Sequence, residues 1–473
     1  MFGLRQFLTA TAVTVVLTAP AAQAETLGDA MIAAYRNSHL LDQNRALLRA
    51  ADEDVATAIS ALRPVVEFTA SAQRSHQYFE NAGARSGLLS VVPEDATSTS
   101  AALELSFQLM LYDFGRSKAG IAAAKEAVLA TRAGLVGVEQ QVLLGTVSAY
   151  VNVKLAREIV DLRQNNTRVI TQELRASQDR FDVGEVTRTD VALAESRLAA
   201  ARAQLAAAEG DQLVAREAYK AATGAYPGQL SALPGAPRLP ASLDAAMAIA
   251  RRSHPDMIRA QHLVKTSDLN LELAKANMKP TISLGATAGM YEGTSSITSD
   301  YNAASVGVTA RQTLYAGGRL SALYRKALAQ VEAQRAALHQ TRVVIDQNIG
   351  NAWARLDVSA AQIAANIRQI EAAQIAFDGL REEAKLGART TLEVLDAEQE
   401  LLDARAARVQ SEAERQFAVY NVLAAMGQLT AQSLNLGIPT YDVTGYYNAV
   451  KDAPATSFQG KALDRVLQSI GRK

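Results

Sequence analysis

Four stretches of the chain alternate apolar and polar residues with a period of two. After Pro64, Val66, Phe68, Ala70 and Ala72 interleave with Glu67, Thr69, Ser71 and Gln73, and Leu103, Leu105, Phe107, Leu109 and Leu111 interleave with Glu104, Ser106 and Gln108. Further on, Ile282, Leu284, Ala286, Ala288 and Met290 alternate with Thr281, Ser283, Gly285, Thr287 and Gly289, and Val306, Val308, Ala310 and Leu314 with Ser305, Gly307, Thr309, Arg311 and Thr313. Period two over roughly ten residues predicts strands with one apolar and one polar face, the spacing of membrane barrels. Periodicity alone fits a soluble sandwich equally well. Four strands cannot close a barrel, because about eight is the smallest single-chain number, so a membrane reading requires several chains in one sheet.

Each strand pair is joined by a loop rich in Gly, Ser, Asn and Asp, Gln77 to Asp95 and Glu292 to Asp300, which predicts hairpins over 65–112 and 281–315. Behind each hairpin a glycine turn, Gly115 or Gly317-Gly318, leads into stretches rich in Ala, Leu, Gln, Glu and Arg over 116–182 and 319–385. These predict helices of ~100 Å at 1.5 Å per residue. Return helices follow over 190–223 and 393–426. Helices this long with small apolar residues are stable only when packed as coiled coils.

The chain is written twice. Leu27 and Met31 recur as Leu243 and Met247, offset by 216, while Leu111-Tyr112-x-x-Gly115-Arg116 recurs as Leu314-Tyr315-x-x-Gly318-Arg319 and Val183-Gly184-x-x-Thr187 as Leu386-Gly387-x-x-Thr390, both offset by 203. The 13-residue surplus falls in the first hairpin loop. Repeats over 25–226 and 241–429 are therefore expected, joined by a proline-rich linker over 227–240 that holds Pro227, Pro234, Pro237 and Pro240.

Composition narrows the function. The 473 residues contain no cysteine, which excludes disulfides and thiolate metal sites, and Lys+Arg 48 balance Asp+Glu 48, so no basic surplus points to nucleic acid. Residues 1–24 have one charge, Arg5, an apolar run from Phe7 through Leu17, Pro20 and the triplet Ala22-Gln23-Ala24, the order of a secretory signal peptide cut before Glu25. The five histidines are scattered without metal spacing, and no HExxH, GxSxG, phosphate loop or dinucleotide fingerprint occurs, so neither an enzyme nor a cofactor is expected.

An exported chain with two copies of helix, hairpin, long helix and return helix resembles the TolC family of bacterial outer-membrane channel-tunnels. The resemblance is carried most specifically by Arg180-Phe181-Asp182-Val183-Gly184-Glu185-Val186-Thr187-Arg188-Thr189-Asp190-Val191 and Leu386-Gly387-Ala388-Arg389-Thr390-Thr391-Leu392-Glu393-Val394-Leu395-Asp396-Ala397, which are similar to the family's two periplasmic tip turns, and by Tyr441-Asp442 with Tyr446-Tyr447-Asn448. It implies a mainly α protein with a membrane β-barrel: a homotrimer whose protomers give four strands each to one 12-stranded barrel and continue as a long antiparallel coiled-coil α-barrel in the periplasm. It also implies two partners, a periplasmic adaptor and an inner-membrane transporter, and places 430–473 as an equatorial segment and tail. Without a cysteine to acylate, the chain resembles the branch that serves type I secretion, which also exports small molecules.

The tip turns have a local explanation. Gly184 and Gly387 can take positive φ to end the long helices, and Thr187 and Thr390 can cap the return helices, with Asp190 and Glu393 completing capping boxes. By the resemblance Glu393 and Asp396, spaced i and i+3, face the lumen, where three chains would gather an acidic ring that raises its own pKa values and is blocked by multivalent cations. The first copy has Leu193 at the second of these positions. Asp190 and Arg389 match the family's carboxylate and guanidinium at the closing latch, whereas Ala384 stands where the family often has tyrosine. A periplasmic coiled-coil adaptor and a structural protein of the envelope are the alternatives; an adaptor should carry a β domain split around a single helical hairpin.

Overall fold

The computed structural model describes residues 24–78, 95–232, 235, 237–293 and 300–451. The signal segment, both hairpin loops, Pro234 and the tail lie outside them. The elements run α1 (Leu27–Asn37), α2 (His39–Ser60), β1 (Val65–Tyr78), β2 (Asp95–Tyr112), α3 (Arg116–Asp182), α4 (Arg188–Thr223), α5 (Leu243–Ser253), α6 (Pro255–Ala276), β3 (Thr281–Gly293), β4 (Tyr301–Arg311), α7 (Arg319–Lys385), α8 (Thr391–Ala425) and α9 (Gly445–Val450). The chain is mainly helical, with one four-stranded antiparallel sheet in the order β1-β2-β3-β4. By contacts it divides into two compact units, Met1–Asn37, Gly145–Pro237 and Ser359–Phe417, and Ser38–Leu144, Arg238–Val358 and Ala418–Lys473.

The sheet belongs to the second unit, and its register turns four separate alternations into two continuous faces. Val66 pairs with Phe107, Phe107 with Ala286 and Ala286 with Val306, an apolar row across all four strands. The next row, Glu67, Ser106, Thr287 and Ser305, is polar. A register slip of one residue on any strand would mix the rows, so the pattern fixes the pairing. Phe68, Leu105, Val306 and Val308 leave the apolar face exposed on the single chain. The apolar band from Ile282 to Met290 has the length of a tilted transmembrane strand, about 9–11 residues. Among the described residues no helix is long and apolar enough to cross a membrane.

In the same unit the segment after α8 is strapped onto α2 and α3. The Tyr446 hydroxyl donates to Glu53 Oε1 at 2.7 Å, the Ala431 amide donates to Glu139 Oε1 at 2.7 Å, and the Arg132 guanidinium lies 5.2 Å from the centre of the Tyr447 ring. Beneath the strap is Asp52, 1% exposed, with Arg132 Nη2 at 3.6 Å and no hydrogen bond to either carboxylate oxygen.

The first unit packs its long helices through small residues. Phe377, Val394 and Leu401 cluster with Ala373, Ala384 and Ala397 along α7 and α8, while Ile170, Leu198 and Leu395 cluster with Ala194 and Ala201 along α3, α4 and α8. Alanine lets the helix axes approach, and the large residues fill the remaining gaps. Glu25 ties the linker down. Its amide donates to the Gln229 carbonyl at 2.8 Å, the Ser231 amide donates to its carbonyl at 2.9 Å, and the Tyr150 hydroxyl reaches that carbonyl at 3.0 Å.

Burial outweighs the attraction of Arg132 and pushes the Asp52 carboxyl up to about 6. An acid whose folded pKa is raised adds stability below its unfolded pKa, and that contribution disappears as pH rises through about 6. Asp52→Asn should therefore raise the thermal midpoint at pH 7.5, by at most about 3 kcal/mol in stability, with little difference from wild type at pH 4. Circular dichroism melts at both pH values check this, and equal shifts at the two would refute it.

Candidate channel gate

The two turns that close the helical hairpins are built alike. In the first, Gly184 has φ 80° and the Glu185 amide donates back to the Arg180 carbonyl at 2.8 Å; in the second, Gly387 has φ 74° and the Ala388 amide donates to the Glu383 carbonyl at 3.0 Å. Positive φ at these glycines lets the chain leave α3 and α7 while the last carbonyls stay satisfied. Thr187 then accepts from the Asp190 amide at 3.3 Å, and Asp190 Oδ2 accepts from the Thr187 amide at 2.9 Å. The pattern repeats at Thr390 and Glu393, at 3.3 Å and 2.9 Å. With threonine as the cap, the return helices begin at Arg188 and Thr391, two residues ahead of the sequence expectation of 190 and 393.

Both turns line one cavity of 640 Å³, to which the first contributes Arg180, Glu185 and Asp190 and the second Lys385, Arg389 and Glu393. Only the second turn carries an arginine at this position, since Val186 occupies the place matching Arg389. Arg389 Nε donates to Glu383 Oε2 at 2.9 Å and its Nη1 to Glu393 Oε1 at 3.2 Å. Within one chain no ion pair joins Asp190 to Arg389, because Asp190 is engaged in its capping box and Arg389 is gripped by carboxylates of its own hairpin. Ala384 is buried in the α7/α8 cluster and also lines the cavity.

Within one chain the Thr390 amide, then its hydroxyl, then Arg389 hold Glu393 below the ordinary carboxylate range. Asp396 does not stand beside it as a free second charge, because Arg197 Nη2 on α4 donates to Asp396 Oδ1 at 2.6 Å. Two more polar contacts span the seam between the repeats: Arg381 to Glu173 at 3.4 Å, and the buried Asn166 amide to Glu398 Oε1 at 3.4 Å. Burial raises the Glu398 carboxyl. Sequence reasoning missed Arg197, Glu173 and Asn166 because their partners lie about 200 residues away, where helical spacing gives no signal. Among the described residues no group of three or more His, Cys, Asp or Glu could hold a metal ion.

Replacing Thr390 by Ala should remove the acceptor for the Glu393 amide and loosen the start of α8 by about 1 kcal/mol, a roughly fivefold faster exchange of its first-turn amides. Arg389→Ser, which leaves the cap intact, should not. Hydrogen exchange read by mass spectrometry on peptides covering 388–396 distinguishes the two, and equal protection in the two variants would disprove the cap's role.

The comparisons agree with this architecture. The family model described as outer membrane efflux protein matches residues 32–225 and 247–428, one segment in each repeat. The chain is 36% identical over 440 residues to the outer membrane efflux protein BepC of Brucella suis biovar 1 (strain 1330), covering 92% of this chain and 93% of that one. It is 27% identical over 330 residues to the alkaline protease secretion protein AprF of Pseudomonas aeruginosa, 66% of each. Among solved structures, a crystal structure of CusC superposes with TM-score 0.74 at 20% identity, over 85% of this chain and 92% of that one, which supports the fold. The chain belongs to the outer membrane efflux protein family and is a passive channel of the bacterial outer membrane, not an enzyme.

Proposed function

We propose that this protein is the exit duct of a tripartite efflux or type I secretion system. Three copies form one 12-stranded barrel, and the paired turns of α3/α4 and α7/α8 form a periplasmic tip that a periplasmic adaptor and an inner-membrane transporter open. The observation that carries this reading is the four-stranded sheet, apolar on one face in register and unpaired along β1 and β4. In lipid every backbone N–H and C=O must be paired within the protein, and a sheet meets that requirement only by closing. Sister copies supply the missing neighbours. Exposed Leu213 and Val214 on α4 and Ile375 on α7 are apolar positions that neighbouring helices of such an assembly would cover.

Residues 1–24 serve as the export signal in this reading. The 227–240 linker joins the repeats, and the described segment after α8 forms an equatorial belt. The channel has no energy source of its own, so transport is driven by the partner in the inner membrane. An adaptor or a structural rod accounts less well for the chain, since each repeat carries its own strand pair.

At the tip Asp190 of one copy and Arg389 of the next form the latch, Arg389 exchanging a carboxylate of its own hairpin for one across the interface. The Asp190→Ala/Arg389→Ser variant should show a larger closed-state conductance than wild type in planar bilayers, while an unchanged value would remove both residues from the gate. Migration as a detergent-resistant trimer that dissociates on heating tests the assembly, and a chain that stays monomeric and soluble without detergent would refute it.

A further inference from the structure

The sequence presents Glu393 and Asp396 as a pair of free acids, yet the structure shows each carboxylate already matched by a cation. Arg389 serves Glu393, and Arg197 serves Asp396. The second match is fixed by packing. Leu395, 3% exposed, inserts among Ile170, Ala194, Leu198 and Ala201, so the next residue, Asp396, is delivered to the residue before Leu198, which is Arg197. On the same hairpin Lys385 pairs with Glu382 and Arg381 with Glu173.

We infer that Arg197 is a specificity-determining residue of the channel: it cancels the field of Asp396 and so weakens the binding of multivalent cations at the periplasmic mouth. This rests on the proposed reading in which α8 faces the lumen at the tip. Both side chains are about half exposed, 45% for Arg197 and 55% for Asp396, so the pair adds little stability. Its consequence is electrostatic. Charges 2.6 Å apart act at longer range as a dipole, whose field falls off faster than that of a lone carboxylate. Three copies of Asp396 without three copies of Arg197 would instead form a ring that attracts cations.

The test is block of the wild-type trimer by hexaamminecobalt(III) in planar bilayers, together with the reversal potential in a potassium chloride gradient. Arg197→Gln should lower the half-blocking concentration by about tenfold or more and shift the reversal potential toward cations, because three positive charges leave the mouth. Asp396→Asn alone should weaken block, and the Arg197→Gln/Asp396→Asn double variant should return to the wild-type value. Trimer yield from the outer membrane verifies that each variant assembles. Two results together would overturn the assignment: Arg197→Gln blocking like wild type, and the double variant blocking as weakly as Asp396→Asn. That pattern would show Asp396 acting on the lumen without regard to Arg197. A wild-type chain that forms no pore at all would instead overturn the channel reading, and this assignment with it.

Discussion

Backbone hydrogen bonding at a sheet edge is the constraint on which the rest of this protein depends. The edge strands β1 and β4 pair on one side only and present unpaired N–H and C=O groups on the other, and water can satisfy those groups only where water is present. The face formed by Val66, Phe107, Ala286 and Val306 is suited to lipid, where an open edge costs several kcal/mol for every unpaired group. A four-stranded sheet with such a face and two free edges is incomplete, and the missing strands have to come from another chain. Assembly with further chains is therefore a requirement of the sheet rather than an addition to it.

Short-range periodicity decides which parts of the structure were legible in the sequence. Alternation was readable because a strand's side-chain period is two, and the register follows once one face must be uniformly apolar. The long helices were readable from composition and from the absence of proline, and their turns from glycine and threonine at matching positions in both copies. These are local signals, each complete within about ten residues. The helix starts came out two residues early for an equally local reason: the capping threonine, not the acid three residues later, marks the boundary.

The electrostatics of the turn were not legible in this way. Read along the sequence, Glu393 and Asp396 are two acids on one helix face, and repulsion follows. In three dimensions Glu393 accepts hydrogen bonds from Thr390 and Arg389, and Asp396 meets Arg197, which lies 199 residues away. Nothing in the helical period of α8 could reveal a partner on α4. Only the insertion of Leu395 into the α3/α4 cluster determines which residue Asp396 faces. Pairings that depend on which helix packs against which become visible only once the packing is known.

Duplication is not complete at the turns. The turn-forming residues and the capping acids Asp190 and Glu393 occur in both copies, whereas Arg389 matches Val186 and Asp396 matches Leu193. The ion-pair network therefore differs between the copies, joining the second hairpin to itself through Arg389 and to the first through Arg197 and Asp396. That network consists of ion pairs about half exposed to solvent, each worth roughly 0.2–1 kcal/mol. A few of them can bias a closed packing without locking it. Moving a two-state gate from 1:99 to 99:1 takes about 5.5 kcal/mol of differential binding, within reach of a docking protein partner. Exchangeable surface pairs are thus better suited to a partner-operated gate than a buried salt bridge, whose rupture would leave an uncompensated charge and cost about 3–5 kcal/mol at each site.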